Sequence, residues 1–183
     1  QATVQRPTIT HEEVNFLFWI NVLASMAVAA AVVTIAPFAA QFYNEPRVAP
    51  LIAAMALPVL LMGSGAQHSA LMNRRMQFGR LAMIEVVSGV ATLATAILWA
   101  SMAPSYWALW GGSVVGALVT IVMTWSSSPW RPSRPGHAGD GWSMVGFGAN
   151  LTGFNFANFF ARNLDNVLIG RVWGNQQLGL YER

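Results

Sequence analysis

The sequence contains no cysteine and no lysine, and charged residues of either sign are scarce. Without cysteine the chain can form neither a disulfide framework nor a thiolate metal site. Charged residues make up 9% of the 183 residues, whereas soluble domains contain about 25%. Because 55% of the residues are also hydrophobic, the composition predicts a membrane protein. All ten basic residues are arginines, and no basic run interleaved with aromatic residues predicts a nucleic-acid partner.

Motifs for catalysis and for metal binding are also missing from the sequence. There is no glycine-rich phosphate loop, no Gly-x-Ser-x-Gly elbow and no His-Glu metal motif. The seven acidic residues are scattered and form no convincing acid/base pair. His11 has no second His or Cys at ligand spacing, so we interpret it as a solvated loop residue. We therefore expect no enzymatic activity, no cofactor and no bound metal.

Long apolar segments separated by short polar turns dominate the chain. A helix needs about 20 apolar residues to cross a bilayer, and the first four segments long enough to do so are residues 14–42, 48–72, 81–103 and 106–127. Thr10 and Glu13 have the spacing of a capping box and predict the start of the first helix. Pro58 and the Gly63-Ser64-Gly65 run are expected to interrupt the second segment, which membrane helices tolerate when neighbours satisfy the backbone.

Two titratable residues lie inside these segments. We interpret His68, near the end of the second segment, as a hydrogen-bonded packing residue rather than a proton carrier. Glu85 lies about one turn beyond Arg80 in the third segment. A carboxylate close to the membrane interface can pair with arginine or extend toward water, and we favour a structural pair with Arg80 over a role in transport.

Residues 129–141 are rich in Pro, Gly and Ser and are interpreted as a cytoplasmic loop between two helix bundles. Residues 1–128 would then be part of an N-terminal lobe with four transmembrane helices, and residues 142–183 would hold the first helix of a C-terminal lobe. The predicted fold is an all-α integral membrane protein with about five transmembrane helices. Arginine is more frequent in the loops on the side of the N-terminus, which places the N-terminus and the linker in the cytoplasm.

The helix predicted over residues 142–173 has one apolar face and one polar face. Its polar face carries four residues at spacings of three and four, namely Asn155, Asn158, Arg162 and Asp165. Ionisable residues at membrane depth usually face a cavity. We predict that these four residues bind cargo, with Arg162 offering positive charge to an anionic group. Two alternatives stay open, an internal ion pair between Arg162 and Asp165, and hydrogen bonds from the asparagines to other helices.

Three stretches of the chain together resemble one known family. They are residues 16–42 followed by Phe42-Tyr43-Asn44-Glu45-Pro46, residues 73–78 running into 81–85, and residues 162–171 followed by Gly174 and 178–181. They are similar to the bacterial polysaccharide exporters of the multidrug/oligosaccharidyl-lipid/polysaccharide flippase superfamily, the branch that contains the O-antigen and exopolysaccharide translocases. The similarity covers nearly the whole chain. Because the chain begins at Gln1 rather than Met, we expect it to be a fragment of a longer protein.

This resemblance implies a two-lobed transporter of twelve or more helices around a central cavity. The cargo would be an oligosaccharide on a polyprenyl pyrophosphate, flipped across the cell inner membrane for lipopolysaccharide or exopolysaccharide biosynthesis. Arg162 is the best match to a cationic cavity residue of the family. The implied partners are the lipid-linked oligosaccharide, membrane lipids, a polysaccharide polymerase and glycosyltransferases. Two other functions stay open: a cation-coupled multidrug exporter of the same superfamily, in which Asp165 would bind the cation or proton, and a membrane scaffold that transports nothing.

Overall fold

The computed structural model describes residues 10–135, 158, 161–164 and 168. In residues 10–135 the helices are α1 (His11–Tyr43), α2 (Val48–Ala54), α3 (Ala56–Arg74), α4 (Phe78–Met102) and α5 (Trp107–Ser127), and no strand forms there. Within the described residues, four helical stretches are long and apolar enough to cross a membrane: His11–Tyr43, Val48–Arg74, Phe78–Met102 and Trp107–Ser127. The four spans predicted from the sequence are therefore confirmed, with ends that agree within three residues. The predicted fifth helix lies largely outside the described residues.

The start and the end of α1 follow from local sequence. The Thr10 hydroxyl accepts a hydrogen bond from the backbone N–H of Glu13 at 3.3 Å, and the Glu13 carboxylate accepts one from the backbone N–H of Thr10 at 2.9 Å. This is the predicted capping box, which satisfies N–H groups that have no partner within the helix. After Tyr43, Asn44 has a φ of 53°, a left-handed conformation that asparagine tolerates better than most residues.

The second span is divided at Met55, between α2 and α3. Pro58 lies in the first turn of α3 and has no N–H to donate to the carbonyl of Ala54, four residues earlier. The indole N–H of Trp110 in α5 donates to that carbonyl instead, at 2.8 Å. Pro58 thus explains a break that falls before it, and a neighbouring helix supplies the missing donor. The expected second interruption is wrong, because Gly63 lies within continuous α3.

The helices pack in the spatial order α1, α3, α5, α4, with α2 beside α1. Close approach between them depends on small residues. A Cβ atom added to Gly112 in α5 would lie 2.6 Å from the backbone oxygen of Thr92 in α4. A Cβ atom added to Gly63 in α3 would overlap the Ser25 side chain in α1. These glycines therefore set the spacing of two helix pairs.

One side of α4 faces no other part of the described chain. Ile84 is the only buried residue of this 25-residue helix. Its large exposed side chains are almost all apolar, and they include Met83, Val86, Val90, Leu93 and Ile97. An apolar face of this extent suits contact with lipid or with further membrane helices rather than with water.

Candidate functional site

The structure describes two of the four residues predicted to bind cargo. Asn158 and Arg162 are both helical and exposed. A spacing of four residues is the spacing of one face of a continuous helix. Asn155 and Asp165 lie outside the described residues, so the predicted ion pair between Arg162 and Asp165 also lies outside them. The cargo-binding role of this face stays a prediction.

The predicted ion pair between Arg80 and Glu85 is wrong. Glu85 is exposed and makes no ion pair with Arg80 in the described chain, whereas Arg47 and Glu45 lie 3.9 Å apart. The physical reason is helical geometry: residues five positions apart point roughly 140° away from each other around the axis. Among the described residues, no three His, Asp or Glu side chains lie close enough to hold a metal ion.

Uncharged polar side chains join α1 to α3 within the span. The Asn21 side-chain amide donates to the Gln67 side-chain oxygen at 3.3 Å, and Gln67 is only 2% exposed. One turn further along α1, the Ser25 hydroxyl donates to the backbone oxygen of Asn21 at 2.8 Å and faces Gly63. A hydrogen bond between membrane helices is worth about 1 kcal/mol. Because such bonds are directional, they align the two helices at one register.

An aromatic cluster closes the end of the bundle at which α1 begins. The His68 ring stacks on Trp125 with centroids 4.4 Å apart, and it meets Trp130 at 5.2 Å and Phe18 at 6.4 Å. His68 is fully buried, which confirms its predicted packing role. Neither ring nitrogen makes a hydrogen bond of regular geometry within the described residues, but backbone groups of Trp130 and Ser64 lie close enough to interact with the ring. The Arg131 guanidinium lies 5.9 Å from the Trp125 ring centroid, within the range of a cation–π contact.

The chain that follows α5 folds back onto α1 through a set of hydrogen bonds that we term the linker clamp. The Asn15 side chain accepts from the backbone N–H of Ser133 and donates to the backbone oxygen of Arg134, both at 2.9 Å. The Trp19 indole N–H donates to the backbone oxygen of Ser133, also at 2.9 Å. Asn15 is 4% exposed, so its two bonds are partly shielded from water, whereas the bond from Trp19 is exposed. The first half of the predicted linker is therefore attached to the first helix.

A pocket of about 270 Å³, which we term the basic pocket, opens beside the linker clamp. It is lined by Thr10, His11, Val14, Leu71, Arg74, Arg75 and Trp130. Two arginines and a histidine thus line the pocket together with apolar residues of α1 and α3. His11 is exposed, as predicted, but it is the first residue of α1 rather than a loop residue, and its Nδ1 accepts a hydrogen bond from Trp130 at 3.2 Å. The adjacent Arg74-Arg75 pair was the only sign of this pocket in the sequence.

Comparison with known proteins relates the whole chain to polysaccharide biosynthesis. A family model described as polysaccharide biosynthesis protein matches residues 1–183. Lipopolysaccharide biosynthesis protein WzxC of Escherichia coli (strain K12) is 28% identical over 182 residues, which cover 98% of this chain and 37% of the relative. Amylovoran biosynthesis protein AmsL of Erwinia amylovora is 29% identical, with 97% of this chain and 47% of the relative covered.

A further relative is named as a transport protein. Succinoglycan biosynthesis transport protein ExoT of Rhizobium meliloti (strain 1021) is 26% identical over 174 residues, which cover 93% of this chain and 35% of the relative. The chain thus spans less than half the length of each of these relatives. No solved structure matches it significantly.

Proposed function

This chain belongs to the polysaccharide biosynthesis protein family, and from that premise we propose that the intact protein flips a lipid-linked oligosaccharide across the bacterial inner membrane. The family match over residues 1–183 is the observation that carries the proposal. The names of the relatives support it, since one is a transport protein for succinoglycan biosynthesis and another serves lipopolysaccharide biosynthesis. The four spans support a multi-pass membrane protein.

The cargo we propose is an oligosaccharide on a polyprenyl pyrophosphate, whose charge must be compensated during passage. Arg162 would provide that compensation, because a guanidinium group can form two parallel hydrogen bonds with a phosphate group. Asn158, exposed one turn away, would offer an amide to sugar hydroxyls. Asn155 and Asp165 extend the same face by their spacing in the sequence. No catalytic step is needed, and glycosyltransferases and a polymerase would supply and consume the cargo.

We propose that transport proceeds by alternating access between two lobes. Residues 1–128 would belong to the first lobe, residues 129–141 to the connection, and residues 142–183 to the first helix of the second lobe. The linker clamp affects where the connection between the lobes begins, because its hydrogen bonds attach Ser133 and Arg134 to α1. The part of the connection that adjusts to lobe movement would therefore begin after Arg134.

The experiment that tests this function measures polymer export in a bacterial strain whose own gene for the intact protein is deleted. The unaltered gene should restore export. The variant Arg162→Ala should abolish export because the positive charge is lost, and Arg162→Lys should restore part of it because charge is kept without the bidentate geometry. Arg47→Ala is the matched control, since Arg47 is exposed in the turn before α2 and its one ion pair within the described residues is with Glu45, at 3.9 Å.

The two halves of this proposal fail separately. Export by Arg162→Ala at the unaltered level would refute the role of Arg162 without refuting flipping. A deletion strain that still places lipid-linked oligosaccharide on the outer face of the membrane would refute the transport function itself. Equal loss of export in Arg47→Ala would show that arginine removal acts through folding rather than through the cargo.

A further inference from the structure

The basic pocket lies at the ends of two membrane spans. The first span begins at His11 and the second ends at Arg74, and residues from both ends line the pocket. Charged and aromatic side chains at such positions lie in the headgroup layer of a bilayer. Arginine counts of the loops predict that this side is cytoplasmic. The pocket is therefore at the depth where the phosphate groups of membrane lipids are found.

The hydrogen-bonding direction of His11 adds a donor to this pocket. Trp130 Nε1 can only donate, so the Nδ1 atom of His11 that accepts from it at 3.2 Å carries no proton. In the neutral ring the proton is then on Nε2, which makes that atom a donor. Two acidic residues, Glu12 and Glu13, follow His11 in the first turn, and the Glu13 carboxylate accepts a hydrogen bond from the Thr10 backbone N–H.

The two arginines supply the charge. Arg75 is exposed and Arg74 is half-buried, and both line the pocket next to the apolar side chains of Val14 and Leu71. Guanidinium groups match the geometry of phosphate oxygens. Basic pockets between membrane helices on the cytoplasmic side are known to bind phospholipid headgroups. The apolar side chains that line the pocket beside the arginines suit contact with the glycerol and upper acyl region of a lipid.

We propose that the basic pocket binds a phosphate group, and that its source is an anionic phospholipid of the surrounding leaflet. The bound lipid contacts α1, α3 and Trp130 of the linker at once, because all three supply lining residues. A lipid bound in the basic pocket therefore stabilises the linker clamp on the side where the pocket opens. This inference does not depend on the proposed cargo, since neither of the two cargo residues that the structure describes, Asn158 and Arg162, lines the pocket.

The test is native mass spectrometry of the intact detergent-solubilised protein, titrated with phosphatidylglycerol, phosphatidylcholine or inorganic phosphate. We expect one retained phosphatidylglycerol molecule and weaker retention of phosphatidylcholine. Arg75→Gln should lower phosphatidylglycerol affinity about fivefold, and the double variant Arg74→Gln/Arg75→Gln should lower it further. Arg80→Gln is the matched control, because Arg80 is exposed near the same loop but does not line the pocket. It should bind as the unaltered protein does.

Four results would overturn the proposal. Unchanged phosphatidylglycerol affinity in the double variant would exclude the pocket as the site. An equal loss in Arg80→Gln would show that only the general charge of the loop matters. Equal retention of phosphatidylcholine would exclude selection of an anionic headgroup. Displacement of the lipid by millimolar inorganic phosphate would assign the site to a soluble phosphate instead of a lipid. Arg75→Lys keeps the positive charge, and the variant should fold because position 75 is exposed. It should retain part of the affinity for phosphatidylglycerol.

Discussion

The two ends of the helix row are held together by different forces. α1 and α3 share a close contact at Gly63 and Ser25 and are joined in addition by the Asn21–Gln67 hydrogen bond, with an aromatic cluster at one end. α4 and α5 meet through glycine and threonine in close contact, and the hydroxyls of α4 and α5 bond carbonyls of their own helix. Dispersion contacts hold such a pair closely but with little directional preference. The polar contacts between α1 and α3 define one register for these two helices. The linker is attached to α1 of this pair.

The largest effect is expected at His68, at the polar end of the row. Replacing His68 with Ala should lower the free energy of unfolding by about 3 kcal/mol, because it removes a fully buried ring. His68→Phe should retain most of the stability, since neither ring nitrogen makes a hydrogen bond of regular geometry in the described chain. The measurement is denaturant unfolding of the intact protein in detergent, combined with polymer export. Stable protein without export in His68→Phe would contradict the packing role.

A smaller effect is expected at the apolar end of the row. Gly112→Ala should destabilise the protein by about 2 kcal/mol, because the new Cβ atom would lie 2.6 Å from the Thr92 backbone oxygen and 3.1 Å from the Ala96 Cβ atom. Gly89→Ala is the matched control, since a Cβ atom there meets nothing within 4 Å. It should be neutral or slightly stabilising because alanine favours helix. Equal unfolding curves for both variants would show that α4 and α5 are not closely packed.

The smallest effect is expected at the linker clamp. Asn15→Leu keeps a side chain of similar shape and removes two hydrogen bonds to the linker, together worth about 1.4 kcal/mol. Amide hydrogen exchange of the intact protein should become about tenfold faster for the peptide that contains Ser133, with little change in α4. Unchanged exchange in that peptide would mean that the clamp does not hold the linker. The difference between the two ends of the helix row would then lie only in the contacts between helices.

Local sequence patterns predicted the spans and their ends well. The capping box at Thr10 depends on residues three positions apart, and span length depends on the thickness of the bilayer. The break in the second span was harder to place. The Pro58 ring acts on a carbonyl four residues earlier, so the helix divides at Met55, and the expected break at Gly63 does not occur because a glycine keeps its backbone N–H.

The candidate sites were predicted unequally. Spacing alone identified the polar face of Asn158 and Arg162, which the structure describes as helical and exposed. The linker clamp and the basic pocket could not be predicted in this way. Asn15 and Arg134 are 119 positions apart, and no periodicity connects residues at that separation. The predicted ion pair between Arg80 and Glu85 is wrong because residues five positions apart are close in sequence but do not share a helix face.

Composition and apolar length alone determined that this chain is a helical membrane protein, because a bilayer admits few other ways to satisfy a backbone. The tertiary structure alone decided which helices are neighbours, which carbonyl Trp110 satisfies, and that the linker returns to α1. Those features depend on side chains from distant segments meeting in three dimensions. Their partners are chosen by shape and by hydrogen-bond geometry rather than by position along the chain.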